Sequence, residues 1–108
     1  EQPKGPFWTL GLAVSNKISY IEMVSLGSIS AAIINPLEVF SLAVQKKSPH
    51  IILVHNHPGD TLKPSKDDIE LTKKIVKGGK ILHIAVLDHL LITTEGYYSF
   101  EEKGKLPK

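Results

Sequence analysis

Residues 51 to 68 carry three structural instructions in close succession. Ile51-Ile52-Leu53-Val54 is a short apolar run of the kind that forms a buried strand. It leads directly into His55-Asn56-His57, and then into Pro58 to Pro64, a stretch with two prolines and a glycine that reads as loop. Ser65 follows as an N-cap with Asp68 three positions on, the spacing of a capping box. A strand, a loop and a helix start in that order confine the chain to folds in which helices pack on a sheet. They also set two imidazoles and a carboxylate at element ends, where rigid backbone can aim them.

The flanking sequence extends this pattern. Phe7 to Val14 and Ile18 to Val24 are strand-like on either side of Ser15-Asn16-Lys17, which predicts an antiparallel hairpin that Gly27 ends. Asn35-Pro36 is an N-cap followed by a first-turn proline, and Leu37, Phe40 and Val44 keep helical spacing toward Lys47 or Ser48. After the strand Ile51 to His55 and the loop, a second helix is expected from Ser65, with Ile69, Thr72, Ile75 and Val76 as its apolar stripe and Gly78-Gly79 as its stop. Ile81 to Leu87 and Leu90 to Thr94 read as two further strands, and Tyr97 to Phe100 as a short last one. The expected class is α/β, a mixed β-sheet flanked by helices. The helix between Ile18–Val24 and Ile51–His55 permits a crossover without proving that those strands are neighbours.

Length and composition exclude several function classes. At 108 residues with 42% hydrophobic and 22% charged residues, the chain has the size and balance of one domain with its own core, taken here as residues 1–108. No apolar run approaches the roughly 20 residues of a membrane-spanning helix, and Glu1 to Pro6 lacks the layout of a signal peptide, so a cytoplasmic location is expected. Without cysteine, disulfides and thiolate zinc sites drop out, including the cysteine-based zinc of nucleobase deaminases. All 13 basic residues are lysine and the net charge is only +2, which leaves nucleic-acid binding weakly supported and base-specific reading without its usual arginine.

On an extended strand, side chains two apart share a face, so His55 and His57 can project together. Asp68, in the first turn of the second helix, can complete a tripod. Two imidazoles and one carboxylate suit Zn²⁺ and leave one position for water, as catalytic zinc sites do; iron, manganese and nickel accept the same donors. Hydrolysis by such a site needs a proton shuttle. Glu22 is the candidate, a carboxylate inside the largely apolar Tyr20 to Val24 segment, with Glu38 as its rival. Asp68 faces competing demands: a capping carboxylate turns back to Ser65, whereas a metal ligand turns toward the histidines. Asp67 is the fallback ligand, about 100° away around the helix.

The string His55-x-His57-Pro58, six residues, Ser65, two residues, Asp68 resembles the signature of the JAMM (JAB/MPN) metalloproteases, and the fuller pattern through Pro64 resembles its bacterial RadC branch. Val86-Leu87-Asp88-His89, Tyr98-Ser99-Phe100 and the stretch from Glu22 to Ile29 resemble further RadC segments, so the likeness covers nearly the whole chain. It implies a JAB/MPN-like, cytidine-deaminase-like architecture and a zinc metallopeptidase acting on an amide or isopeptide bond of a peptide or protein substrate. In that reading His55, His57 and Asp68 bind zinc, Glu22 is general acid/base, and Ser65 donates to the water or oxyanion. Where RadC relatives usually carry Ser-Gly-Asp-Pro after His-Pro, this chain has Gly59-Asp60-Thr61-Leu62. The helix-hairpin-helix region often found upstream in RadC proteins is also missing, so the resemblance leads us to expect a C-terminal piece of a longer protein.

Plainer readings stand beside these. The histidines and Asp68 can be strand-end and capping residues that never share a metal, Glu22 a solvated edge residue, and Ser65 a cap alone. Asp88-His89 can be a catalytic pair, but fits better as the organiser of a strand junction or a support for the ligands. His50 and His83 read as packed or surface residues, and Lys66, Lys73, Lys77 and Lys80 as a solvated helix face. The rival to a hydrolase is a DNA-repair-associated nucleic-acid-binding or scaffold module with a structural metal, in keeping with the repair label of RadC proteins. Oligomeric state is open.

Overall fold

A hairpin starts the sheet. In the computed structural model, which describes residues 5–57 and 61–108, Asn16 takes the left-handed conformation (φ 66°) that Asn tolerates well, and the Ala13 and Lys17 backbones bond across the turn. It joins β1 (Phe7–Leu12) to β2 (Ile18–Ser25) in antiparallel register. Helix α1 (Pro36–Lys46) follows, its first turn capped by the Asn35 side chain, which accepts from Leu37 N–H at 2.9 Å. Strand β3 (His50–Asn56), helix α2 (Lys66–Leu82), β4 (Ala85–Thr93) and β5 (Gly96–Ser99) complete the order.

The sheet order is β2-β1-β3-β4-β5, with β1 antiparallel to both neighbours, β3 parallel to β4, and β4 antiparallel to β5. Strands β2 and β3 are therefore parallel but separated by β1. Both crossovers, through α1 and through α2, step in the same direction across the sheet. Right-handed crossovers of that kind put both helices on one face. Burial agrees: Phe7, Thr9, Ile51, Leu53, His55, His89 and Leu91 are buried beneath the helices, whereas Trp8, Leu10, Ile52, Val54, Leu90 and Ile92, pointing the other way, are only half-buried. Leu53, Leu71 and Ile75 are fully buried, each stabilising the fold by about 1.5–3 kcal/mol relative to exposure.

Three expectations are corrected. Gly78-Gly79 does not stop α2, which runs on to Leu82 and ends at His83 in the left-handed conformation (φ 59°). A Cβ at Gly79 would collide with the Ile84 carbonyl oxygen, so this glycine serves the close return of the chain after the helix. Ile81-Leu82 is consequently helical, and the two strands expected from Ile81 to Thr94 are one, β4, with a bulge at Leu87 where Ile51 pairs Val86 and Ile52 pairs Asp88. Finally, the buried stripe of α1 is Val39, Phe40 and Ala43, while Leu37 and Val44 are exposed; in α2, Leu71 is buried and Ile69 is not. No helix among the described residues is long and apolar enough to cross a membrane.

Candidate metal centre

Strand geometry delivers the two histidines. The extended conformation persists past the aliphatic run because both neighbours hold it: Asn56 N–H donates to Pro6 C=O at 2.9 Å, and His57 N–H donates to Ile92 C=O at 2.8 Å. His55 and His57 therefore project from the same side, ring centroids 5.5 Å apart and nearly perpendicular. Phe7, directly opposite His55 across the sheet, sets its ring edgewise to the imidazole at 6.2 Å.

The third group comes from α2. Ser65 caps the helix reciprocally: Asp68 N–H donates to Ser65 Oγ at 3.0 Å, while Ser65 N–H and its hydroxyl each donate to Asp68 Oδ2 at 2.8 Å. The conflict expected at Asp68 is resolved within one carboxylate. Oδ2 takes the two cap donors and still lies 3.0 Å from His57 Nε2, and Oδ1 lies 2.9 Å from His55 Nδ1. Asp68 is fully buried, and burial alone would raise its pKa; the hydrogen bonds from His55 and from the Ser65 backbone and hydroxyl outweigh that and hold it well below the usual carboxylate range.

His57 shows what belongs between these groups. Its Nδ1 is 2.8 Å from the Thr61 carbonyl oxygen, which can only accept, so Nδ1 carries the proton. The other ring nitrogen, Nε2, lies 3.0 Å from Asp68 Oδ2, a carboxylate oxygen that can only accept. A ring nitrogen and a carboxylate oxygen at that distance require a proton or a cation between them. One donor atom from each of His55, His57 and Asp68 lies within 4.8 Å of the others, making a set that can hold a metal ion. The Thr61 carbonyl also orients His57, as supporting hydrogen bonds do at metal sites.

The other candidate residues sort by position. Glu22 lies on β2 opposite Thr9, on the same sheet face as His55 with β1 between, half-buried and with Oε1 sequestered without a hydrogen-bond partner among the described residues. Glu38 is exposed in the first turn of α1, and Asp67 is exposed on α2, facing away from the histidines that Asp68 meets. His83 is exposed and His50 half-buried, while Lys66, Lys73, Lys77 and Lys80 are all exposed. Pro58, Gly59 and Asp60 lie outside the described residues. Asp88-His89 is not at a junction between two strands but inside β4, with His89 fully buried and its pKa lowered to about 3, chiefly by burial.

Sequence reasoning missed two participants. Thr61 contributes only a backbone carbonyl, which no side-chain motif records. Thr72 was counted in an apolar stripe, yet its hydroxyl lies 2.6 Å from both the Asp68 carbonyl and His89 Nδ1. Its one legible signal was a polar residue among buried aliphatic ones.

The chain is similar to known proteins over most of its length. A family model described as a RadC-like JAB domain matches residues 1–105. The UPF0758 protein of Methanosarcina mazei is 45% identical over 104 residues, which is 96% of this chain and 45% of that protein. A UPF0758 protein of Caldanaerobacter subterraneus subsp. tengcongensis is 46% identical over 101 residues, covering 94% of this chain and 43% of its own length. That of Flavobacterium johnsoniae is 42% identical over 104 residues, 96% of this chain and 45% of its own. The chain thus spans less than half the length of the curated relatives it matches.

Proposed function

This chain belongs to the RadC-like JAB domain family, and from that membership we propose that it is a metal-dependent hydrolase, with zinc as the metal and an amide or isopeptide bond of a peptide or protein as the substrate. The observation that carries the reading is the convergence of His55, His57 and Asp68, which each bring one ligand atom to within 4.8 Å of the others.

His55, His57 and Asp68 hold the cation. A cation bound there would supply a water acidified toward neutral pH and a Lewis-acid contact for a carbonyl. The protein's own groups do the rest. Asp68 stays ionised and oriented because Ser65 donates to it twice. Glu22, on the same sheet face with β1 between, would serve as general acid/base, taking a proton from water and returning it to the departing amine. Ser65 acts first through Asp68: its hydroxyl proton is committed to Oδ2, so stabilising the oxyanion requires that proton to swing to the substrate.

The test separates binding from chemistry. His55→Ala and His57→Ala should abolish stoichiometric zinc measured by elemental analysis, and Glu22→Gln should keep zinc while cleavage of an isopeptide-linked peptide falls by about 10²–10⁴-fold. Full zinc in the double histidine variant would refute the site, and full turnover in Glu22→Gln would transfer the proton role to another group. A second reading, a phosphate-bearing nucleic-acid partner, is favoured only by the exposed lysines along α2. It requires DNA affinity that falls steeply with salt.

A further inference from the structure

We propose that Thr72 and His89 are positioning residues of the metal centre, a relay that locks the backbone of Asp68 from behind; this rests on the reading of His55, His57 and Asp68 as metal ligands. The relay has a direction. Thr72 Oγ1 lies 2.6 Å from the Asp68 carbonyl oxygen and 2.6 Å from His89 Nδ1. A carbonyl cannot donate, so the single hydroxyl proton of Thr72 goes to Asp68, and the hydroxyl oxygen accepts from His89 Nδ1–H. His89 is therefore the Nδ1–H tautomer, and the chain of donors runs His89 to Thr72 to Asp68.

His89 is itself held on every side. Its ring stacks on Phe100, centroids 4.9 Å apart and 11° from parallel, and meets the edge of Phe7 at 6.0 Å. Phe7 also meets His55, so the same imidazole braces one ligand through Thr72 and backs another through an aromatic ring. Asp88 ties the assembly to the C-terminal turn: Oδ1 accepts from His89 N–H at 2.7 Å and Glu101 N–H at 3.0 Å, and Oδ2 accepts from Ser99 Oγ–H at 2.5 Å. The turn that carries Phe100 is thereby fixed against the strand that carries His89.

An apolar residue would sit at position 89 at lower cost. The ring is fully buried, and among the described residues its Nε2 has no hydrogen-bond partner. Leaving a buried acceptor unpaired is unfavourable, and leucine, which occupies the next inward position at Leu91, would avoid it. The imidazole does one thing leucine cannot, which is to donate to Thr72.

The experiment measures Zn²⁺ affinity by competition with a chromophoric chelator, alongside thermal unfolding, for wild type, Thr72→Val, Thr72→Ser and His89→Leu. Thr72→Val and His89→Leu should weaken zinc binding by about 10–100-fold, while Thr72→Ser stays within about twofold of wild type. Because Thr72→Val keeps the shape of the side chain, an unchanged affinity in that variant overturns the relay. An equal loss in Thr72→Ser does so as well, since it would trace the effect to packing. Nitrogen-15 spectroscopy of the metal-free protein should report protonated Nδ1 at His89, and an Nε2–H tautomer would overturn the donor order. If wild type itself takes up no zinc, the ligand reading fails and the positioning role falls with it, an outcome visible before any variant is made.

Discussion

Asp68 occupies two positions that a sequence reader must treat as rivals: it caps α2 and it faces both histidines. Capping and ligation were expected to pull the carboxylate apart, but Oδ2 satisfies Ser65 and faces His57 together, which leaves Oδ1 for His55. The choice between Asp67 and Asp68 was legible from helical periodicity, because only the residue on the buried face can meet a strand end. The His57 to Thr61 link was not legible, since a backbone carbonyl can belong to any residue. The electrostatics of the site predict how the metal-free domain responds to acid. His89 is held at about 3 in the folded protein against 6.5 when free, so only the unfolded chain takes up that proton between those values, and stability falls as pH drops from about 6.5 toward 3. Asp68 is held below its free value of 3.8, so its contribution is complete above that value and is lost as pH falls further. Melting temperature followed across this range should therefore decline in two stages. The first is on the order of a few kcal/mol and is absent in His89→Leu; a flat profile from pH 6.5 to 4 would contradict the buried neutral imidazole.

At the scale of elements, the caps and apolar runs were readable and the glycines were not. Asn35-Pro36 and Ser65 start their helices where local chemistry says they should, because capping depends on a few adjacent residues. Gly78-Gly79 carries the same local signal as a helix stop, but tertiary packing overrides it, and the missing Cβ of Gly79 makes room for a returning carbonyl. The misplaced helix end in turn split β4 in two. These adjacent glycines should answer oppositely to one substitution. Gly78→Ala meets Phe40 and Pro36 at ordinary contact distances of 3.4 and 3.9 Å and should stabilise the domain by up to about 1 kcal/mol through helix propensity. Gly79→Ala drives a methyl into backbone and should destabilise it by about 1–3 kcal/mol. Denaturant midpoints of the two variants decide the matter, and equal shifts would contradict the opposed roles of the two glycines.

For the whole molecule, the mixed sheet with its helices was foreseeable from element order, but their sidedness was not. It depends on β1 lying between β2 and β3, a pairing that no local pattern encodes. With both crossovers stepping the same way, one face of the sheet keeps Trp8, Leu10, Ile52, Val54, Leu90 and Ile92 partly in contact with water. Unfolding then exposes less new apolar surface than usual. Calorimetry should return a heat-capacity increment below the roughly 1.3–1.6 kcal/mol/K typical of this length, and a value at the top of that range would mean that the face is covered in solution. The two histidines have a different relation to their surroundings. Because β1 and β4 grip the chain through Asn56 and His57, the donors belong to the sheet rather than to the segment that follows. Thr61 contributes only its carbonyl, whatever its side chain. The letters between His57 and Ser65 are thus free to vary while the two imidazoles keep their place, so what surrounds the pair is separable from the frame that aims it.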